Sequence, residues 1–187
     1  MDNKFVLCQG VSLRTVGDVR SAFSAEGENI RGILSAELLI PAAKAFIKVI
    51  KEPIFFFIEL PAETSDKYEV YYLDNCTKPV VDAIIKRYGE LLANDGICRF
   101  GFGSNSTDEE IYFEDYQEFS AYVKRPEALC KALEKLGVKH GESYPTLWEQ
   151  FSDDNVGCLS PVELDGESVY DIPIALEQAG MYKNQED

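Results

Sequence analysis

The sequence holds one histidine and one tryptophan, and none of its five cysteines stands in a C-x-x-C pair. Without such a pair there is no zinc knuckle and no thiol-exchange motif. Cys8, Cys76, Cys98, Cys130 and Cys158, odd in number and widely spaced, read as reduced, partly buried thiols. No apolar run reaches the roughly 20 residues that span a bilayer: LLIPAAKAFIKVI is interrupted by lysines and PIFFFIEL runs into Glu59. The start, MDNKFVLCQG, has no basic flank leading into a long apolar stretch, so it does not read as a secretory signal. Together these absences predict a cytosolic chain, in which the triplets Asn75-Cys76-Thr77 and Asn105-Ser106-Thr107 carry no glycosylation meaning. Lysine, arginine and histidine are also missing from residues 100–119, FGFGSNSTDEEIYFEDYQEF, which carry six carboxylates.

What is present fits a folded domain. The chain has 187 residues, 45% hydrophobic and 27% charged, enough to bury a sizeable core without a metal or a disulfide. No linker divides it, so residues 1–182 are expected to form one domain and the polar residues 183–187 a frayed tail. The net charge of −15 is unevenly spread: residues 1–100 hold 12 Lys+Arg against 14 Asp+Glu, residues 101–187 hold 6 against 19. The acidic second half would repel nucleic acid and anionic membranes and attract basic partners.

The dense run 54–60 between Pro53 and Pro61 predicts a buried strand, and 68–73 its antiparallel neighbour after the loop 62–67. Thr77, Pro79 and the recurrence of Val80, Val81, Ile84, Ile85, Tyr88, Leu91 and Leu92 predict a helix over 78–94, stopped at Asn94-Asp95-Gly96 with Gly96 in the left-handed conformation. A strand at 97–103, a loop, a long strand at 110–123 and a helix at 126–136 repeat that plan. Two consecutive strand-loop-strand-helix units define an α+β fold, a mixed or antiparallel sheet of four or more strands with helices on one face. The flanks suggest helices at 15–25 and 37–51, the latter carrying Pro41. They also suggest a short helix after Thr146, a tight turn at Asp165-Gly166 and a final helix ended by Gly180.

Several stretches touch on chemistry. Phe100-Gly101-Phe102-Gly103 has two glycines of a dinucleotide fingerprint, but Ser106 takes the third place and an acidic loop follows, so these read as strand glycines admitting a neighbouring ring or a bulge. Read as one strand, 110–123 alternates Glu110, Tyr112, Glu114, Tyr116, Glu118, Ser120 and Tyr122 on one face against mostly apolar residues on the other. Asp115 and Gln117 break the apolar face, either through a bulge or as buried polar groups with specific partners. Same-face carboxylates are spaced for acid/base work, and Glu114 and Glu118, with Asp115 if a bulge turns it out, are the candidates for sugar-type hydrolysis. The same face suits a cationic partner: Asp108, Glu109, Glu110, Glu114 and Glu118 offer charge, and Tyr112, Tyr116 and Tyr122 offer cation–π contact. His140 lacks a local motif linking it to a cysteine, and Asp153-Asp154-Asn155-Val156-Gly157 lacks the ligand alternation of a calcium loop. Leu147, Trp148 and Phe151 read as a clasp holding the C-terminal segment on the sheet.

In size, acidity, reduced thiols and lack of a catalytic set, the chain is similar to small bacterial immunity proteins that neutralise basic toxins, a likeness of character without aligned residues. The leading expectation is a non-enzymatic binding protein whose acidic, tyrosine-bearing half engages a basic protein, with no cofactor and no metal. The alternatives are a hydrolase using paired carboxylates of the 110–123 segment and a homo-oligomeric scaffold.

Overall fold

The computed structural model describes residues 4–62, 65 and 67–184. In chain order its elements are β1 (Val11–Ser12), β2 (Ala22–Glu26), β3 (Asn29–Ile33), α1 (Ala36–Val49), β4 (Ile54–Pro61), β5 (Tyr68–Cys76), α2 (Lys78–Asn94), β6 (Arg99–Ser104), β7 (Glu110–Phe113), β8 (Glu118–Tyr122), α3 (Pro126–Lys135), β9 (Lys139–His140), β10 (Cys158–Leu159), α4 (Asp171–Leu176) and β11 (Tyr182–Lys183). Among the described residues, nine strands form one mixed sheet in the order β11-β5-β4-β6-β7-β8-β3-β2-β9, antiparallel except for the β2–β9 pair. This is the α+β class. No described helix is long and apolar enough to cross a membrane.

The two faces of the sheet follow from period-2 alternation. Ile54, Phe56, Ile58 and Leu60 of β4 point inward and meet Phe100, Phe102, Ile111, Phe113 and Phe119 from the next three strands. Over them lie the apolar stripes of α1 (Leu39, Ala42, Ala43, Phe46, Ile47) and α2 (Val81, Ile84, Ile85, Leu91, Leu92), with Leu129 and Leu133 of α3. The first of these helices touches both others and β6 and β7. It runs through Pro41 without ending there. Thr77 is the N-cap of α2 in position only: its side chain makes no capping bond, and the Glu52 carboxylate accepts from Lys78 N–H in its place.

Gly96 stops α2 by proximity rather than by a left-handed backbone. Its amide donates to Ser160 (3.1 Å), Ser160 donates to Gly10 (2.8 Å), and Gly10 donates to Asn94 (2.8 Å). A Cβ on Gly96 would lie 2.0 Å from the Gly10 oxygen.

Three expectations are corrected. Residues 15–25 are not helical: the chain is irregular up to β2, which turns at Gly27 (φ 59°) into β3. Pairing of β3 with β8 outweighs the weak local helical pattern. The long strand at 110–123 is instead a hairpin, β7 and β8, reversing at Asp115–Gln117 with Tyr116 (φ 55°) and Gln117 (φ 66°) left-handed. Its register joins Ile111 to Ala121 and Phe113 to Phe119, so every pair matches two even or two odd residues and the alternation survives the reversal. Lys183 pairs with Tyr71, and Asn184 N–H donates to the Val70 carbonyl (2.7 Å), so these two residues of the expected tail extend the sheet edge. The rest of that tail, and Glu63, Thr64 and Asp66 of the 62–67 loop, lie outside the described residues. Asp165 and Gly166 form the expected tight turn, φ 53° and 78°, between bridged Leu164 and Glu167.

Gln117 is 3% exposed and its amide is well used. Oε1 accepts from Cys8 N–H (2.9 Å), and Nε2 donates to the carbonyls of Val6 (3.0 Å) and Leu34 (2.7 Å). Replacing Gln117 with leucine removes the partner of the Cys8 N–H and of the Leu34 carbonyl, while the Val6 carbonyl keeps the Ala36 N–H (3.0 Å). In urea unfolding Gln117→Leu should cost about 3 kcal/mol, against less than about 0.5 kcal/mol for the exposed Glu127→Gln on α3. Equal losses in the two variants would show that the amide is not structural.

Candidate functional site

The face of the sheet turned away from α1, α2 and α3 carries the candidate site. Phe57 pairs with Gly101 and Phe55 with Gly103, and both rings lie over the glycines: a Cβ would come within 2.4 Å of the Phe57 ring and 2.2 Å of the Phe55 ring. The Phe-Gly-Phe-Gly stretch is therefore a cradle for rings. Across Gly101 the ring of Phe57 reaches Tyr112 on β7 (5.4 Å between centroids), although β6 lies between their strands. On the other side Phe57 meets Tyr72 (6.0 Å), and Tyr72 meets Tyr182 (6.2 Å). Four rings thus cross the sheet from its β11 edge to β7. A Phe/Tyr row of this kind presents apolar area with hydroxyl tips.

Carboxylates border the row. Glu59 accepts from the Tyr112 hydroxyl (2.6 Å) and lies 3.8 Å from Arg99. Arg99 forms a two-point pair with Asp115 (2.8 and 2.6 Å) and stacks on the Tyr68 ring at 4.1 Å. Its guanidinium is held further into the charged range, chiefly by the bonds to Asp115. Glu110 has its carboxyl pushed up by burial first and by the charge of Glu59 second. Tyr122 donates to Glu28 and accepts from Lys124 Nζ (2.8 Å).

At the turn end of the hairpin, Arg31, Tyr112, Glu114, Glu118, Phe119, Ser120 and Tyr144 line a cleft of about 310 Å³. Ser120 Oγ donates to Glu114 Oε1 (2.9 Å). The Glu118 carboxyl is pushed up to about 7, first by burial and then by the charges of Glu114 and Glu149. Among the described residues, Glu118 Oε1 is the one buried side-chain nitrogen or oxygen with no hydrogen-bond partner.

Not every residue expected on this face lies on it. Glu110, Tyr112, Glu114, Glu118 and Tyr122 share it, and Asp108 is exposed in the preceding loop. Glu109 is turned inward, 6% exposed, accepting from Lys124 N–H (3.1 Å) and Thr107 Oγ1 (2.8 Å). Tyr116 leaves the face because its left-handed backbone swings the ring under Trp148 (4.5 Å) and Phe151 (4.9 Å). Asp115 is held by Arg99 in the two-point pair and does not line the cleft of Glu114 and Glu118. Arg31, Tyr144 and the ring row escaped the sequence reading. Arg31 lies opposite Ser120 on β3, the strand whose alternation, Asn-Ile-Arg-Gly-Ile, was the available signal.

The other chemical candidates are structural. His140 stacks on Phe23 (4.5 Å, 9°) with Nδ1 3.4 Å from Glu134. Asn155 binds Thr15 through both its N–H and its carbonyl (2.9 Å each) and donates to Gln150 (2.7 Å). Burial pushes the Cys8 thiol up to about 12, and raises Cys76, Cys98 and Cys130 as well, which makes them poor nucleophiles. No group of three or more His, Cys, Asp or Glu among the described residues could hold a metal ion. A larger cleft of about 600 Å³ near the start of α1 has interleaved charges, with Arg20 paired to Asp18 (2.8 Å) and Glu37 accepting from Ser35 (2.5 Å).

No protein-family model matches the chain, and no curated protein or solved structure matches it. The functional reading therefore rests on the site itself.

A carboxyl held at about 7 instead of its ordinary 4.5 binds more protons folded than unfolded between those values, so its effect on stability turns less favourable as pH rises through that window. Glu118→Gln should match the native chain near pH 4.5 and exceed it in stability above pH 7, read by urea unfolding at both. A difference that stays constant with pH would contradict a raised Glu118.

Proposed function

We propose that this chain is a non-enzymatic, cytosolic binding protein whose acidic, tyrosine-bearing sheet face engages a basic protein partner, in a toxin-neutralising role. The observation that carries the reading is the sheet face turned away from α1, α2 and α3, where Tyr72, Tyr112 and Tyr182 are ranged around the buried ring of Phe57 with Glu110, Glu114 and Glu118 on the same face. Rings supply interface area at low entropic cost and attract guanidinium and ammonium groups, and the carboxylates add charge. The excess of acids in residues 101–187 favours fast encounter with a basic surface and works against nucleic acid. Cytosolic placement is supported by five free cysteines.

A second reading, hydrolysis by paired carboxylates, narrows to Glu118 with Glu114, because Asp115 is bound to Arg99. Its support is the raised Glu118 carboxyl inside a cleft. Turnover of glycoside substrates by the native chain, abolished in Glu118→Gln, would favour it over binding.

Capture from the native host at low salt is expected to recover basic proteins, and their affinity to fall steeply as salt rises. The double variant Glu110→Lys/Glu114→Lys should weaken that affinity about 100-fold, as expected for reversing charges at an interface. Recovery of neutral or acidic partners alone, with salt-independent affinity, would overturn the proposal.

A further inference from the structure

The cleft at the turn end of the β7–β8 hairpin combines features that the rest of the acidic face lacks. Around the cleft, Glu59 has Tyr112 and Arg99, Asp115 has Arg99, and the inward-turned Glu109 has Thr107 and a backbone amide. Glu118 has an oxygen buried without a hydrogen bond, and beside it stand Glu114 and the further charge of Glu149. The one cation lining the cleft is Arg31, and among the described residues no ion pair within 4.0 Å joins it to Glu118. Burying an unpaired carboxylate next to like charges is costly, and a cation entering the cleft relieves both the desolvation and the repulsion. Tyr112 and Tyr144 line the same space, and aromatic rings attract cations. At about 310 Å³ the cleft lies at the small end of ligand sites, a size for one side chain rather than for an extended ligand.

The geometry points to this cleft as the receptor for a single arginine side chain of the basic partner, its guanidinium shared by Glu118 and Glu114 and faced by Tyr112 and Tyr144. The inference rests on the reading of the sheet face as a binding surface and names the anchor within it. Guanidinium is the better match of the two cationic heads, because its planar fork pairs two-point with carboxylate and stacks on aromatic rings. Binding requires the charged form of Glu118, so the partner's arginine displaces a proton. The groups that set this exchange are Glu114 at the end of β7, Arg31 on β3, Tyr144 in the segment after β9, and Glu149 beside Trp148.

The test uses the full chain, carboxyl-labelled for NMR and titrated with N-acetyl-arginine amide, the uncharged N-acetyl-norleucine amide serving as control. The arginine probe should shift the resonances of Glu118 and Glu114 and lower the pH at which Glu118 titrates. Its affinity should rise about 10-fold from pH 6 to pH 8, the change in the fraction of Glu118 that is ionised. Glu118→Gln should weaken the probe about 10-fold and abolish that pH dependence, whereas Glu127→Gln on α3 should change neither. Equal shifts with the norleucine probe, no shifts at saturating arginine probe, or an unchanged pH profile in Glu118→Gln would each overturn the inference. A cleft that ignores the probe on a chain that still captures basic proteins defeats the anchor alone. Probe binding by a chain that captures no basic protein defeats the wider reading and leaves the cleft.

Discussion

The buried amide of Gln117 is the junction on which the rest of the arrangement depends. One side chain, held on a left-handed backbone, ties together the segment before β1, the connection from β3 to α1, and the turn between β7 and β8. A primary amide suits the task because it offers two donors and an acceptor in one plane. Leu34 N–H returns a bond to the Gln117 carbonyl (3.0 Å), which closes the junction through the backbone as well. With the turn so held, Asp115 is presented to Arg99 and Tyr116 to Trp148, and the hairpin's even-numbered residues face away from the helices.

From that junction the two faces acquire different characters. The inner face is a continuous apolar layer between strands and helices, where packing density does most of the stabilising. The outer face has rings that touch across a glycine-bearing strand and acids kept in order by hydroxyls and one arginine. Glycine at 101 and 103 joins the two, since the inner partners Phe100 and Phe102 fill the core while the missing Cβ atoms leave room outside for Phe57 and Phe55.

Much of the middle of the fold was legible in the residues. The strand 54–61, the helix 78–94 and the helix from Pro126 announce themselves by composition, period and proline placement, and their bounds fall within a few residues of the reading. The hairpin was illegible as a hairpin for a definite reason: its register pairs like parity with like, so period 2 keeps the same phase in the strands on either side of the turn. The strands β2 and β3 were hidden because their alternation is short and their stability comes from pairing with a strand far along the chain. Of the site, the carboxylates could be found from spacing. The departures of Glu109 and Tyr116, and the arrival of Arg31 and Tyr144, depend on turns and registers that no local pattern encodes.

Trp148 is half exposed and leans on Tyr116 and Phe151 at the corner where the C-terminal strap meets the hairpin turn. The chain has no second tryptophan, so its ultraviolet emission is a reporter on that corner and is blind to the phenylalanine core. Loosening of the strap would redden the fluorescence while the sheet and its amide protection stayed intact. Lifting of the strap can therefore be followed optically, without labels, apart from the unfolding of the molecule.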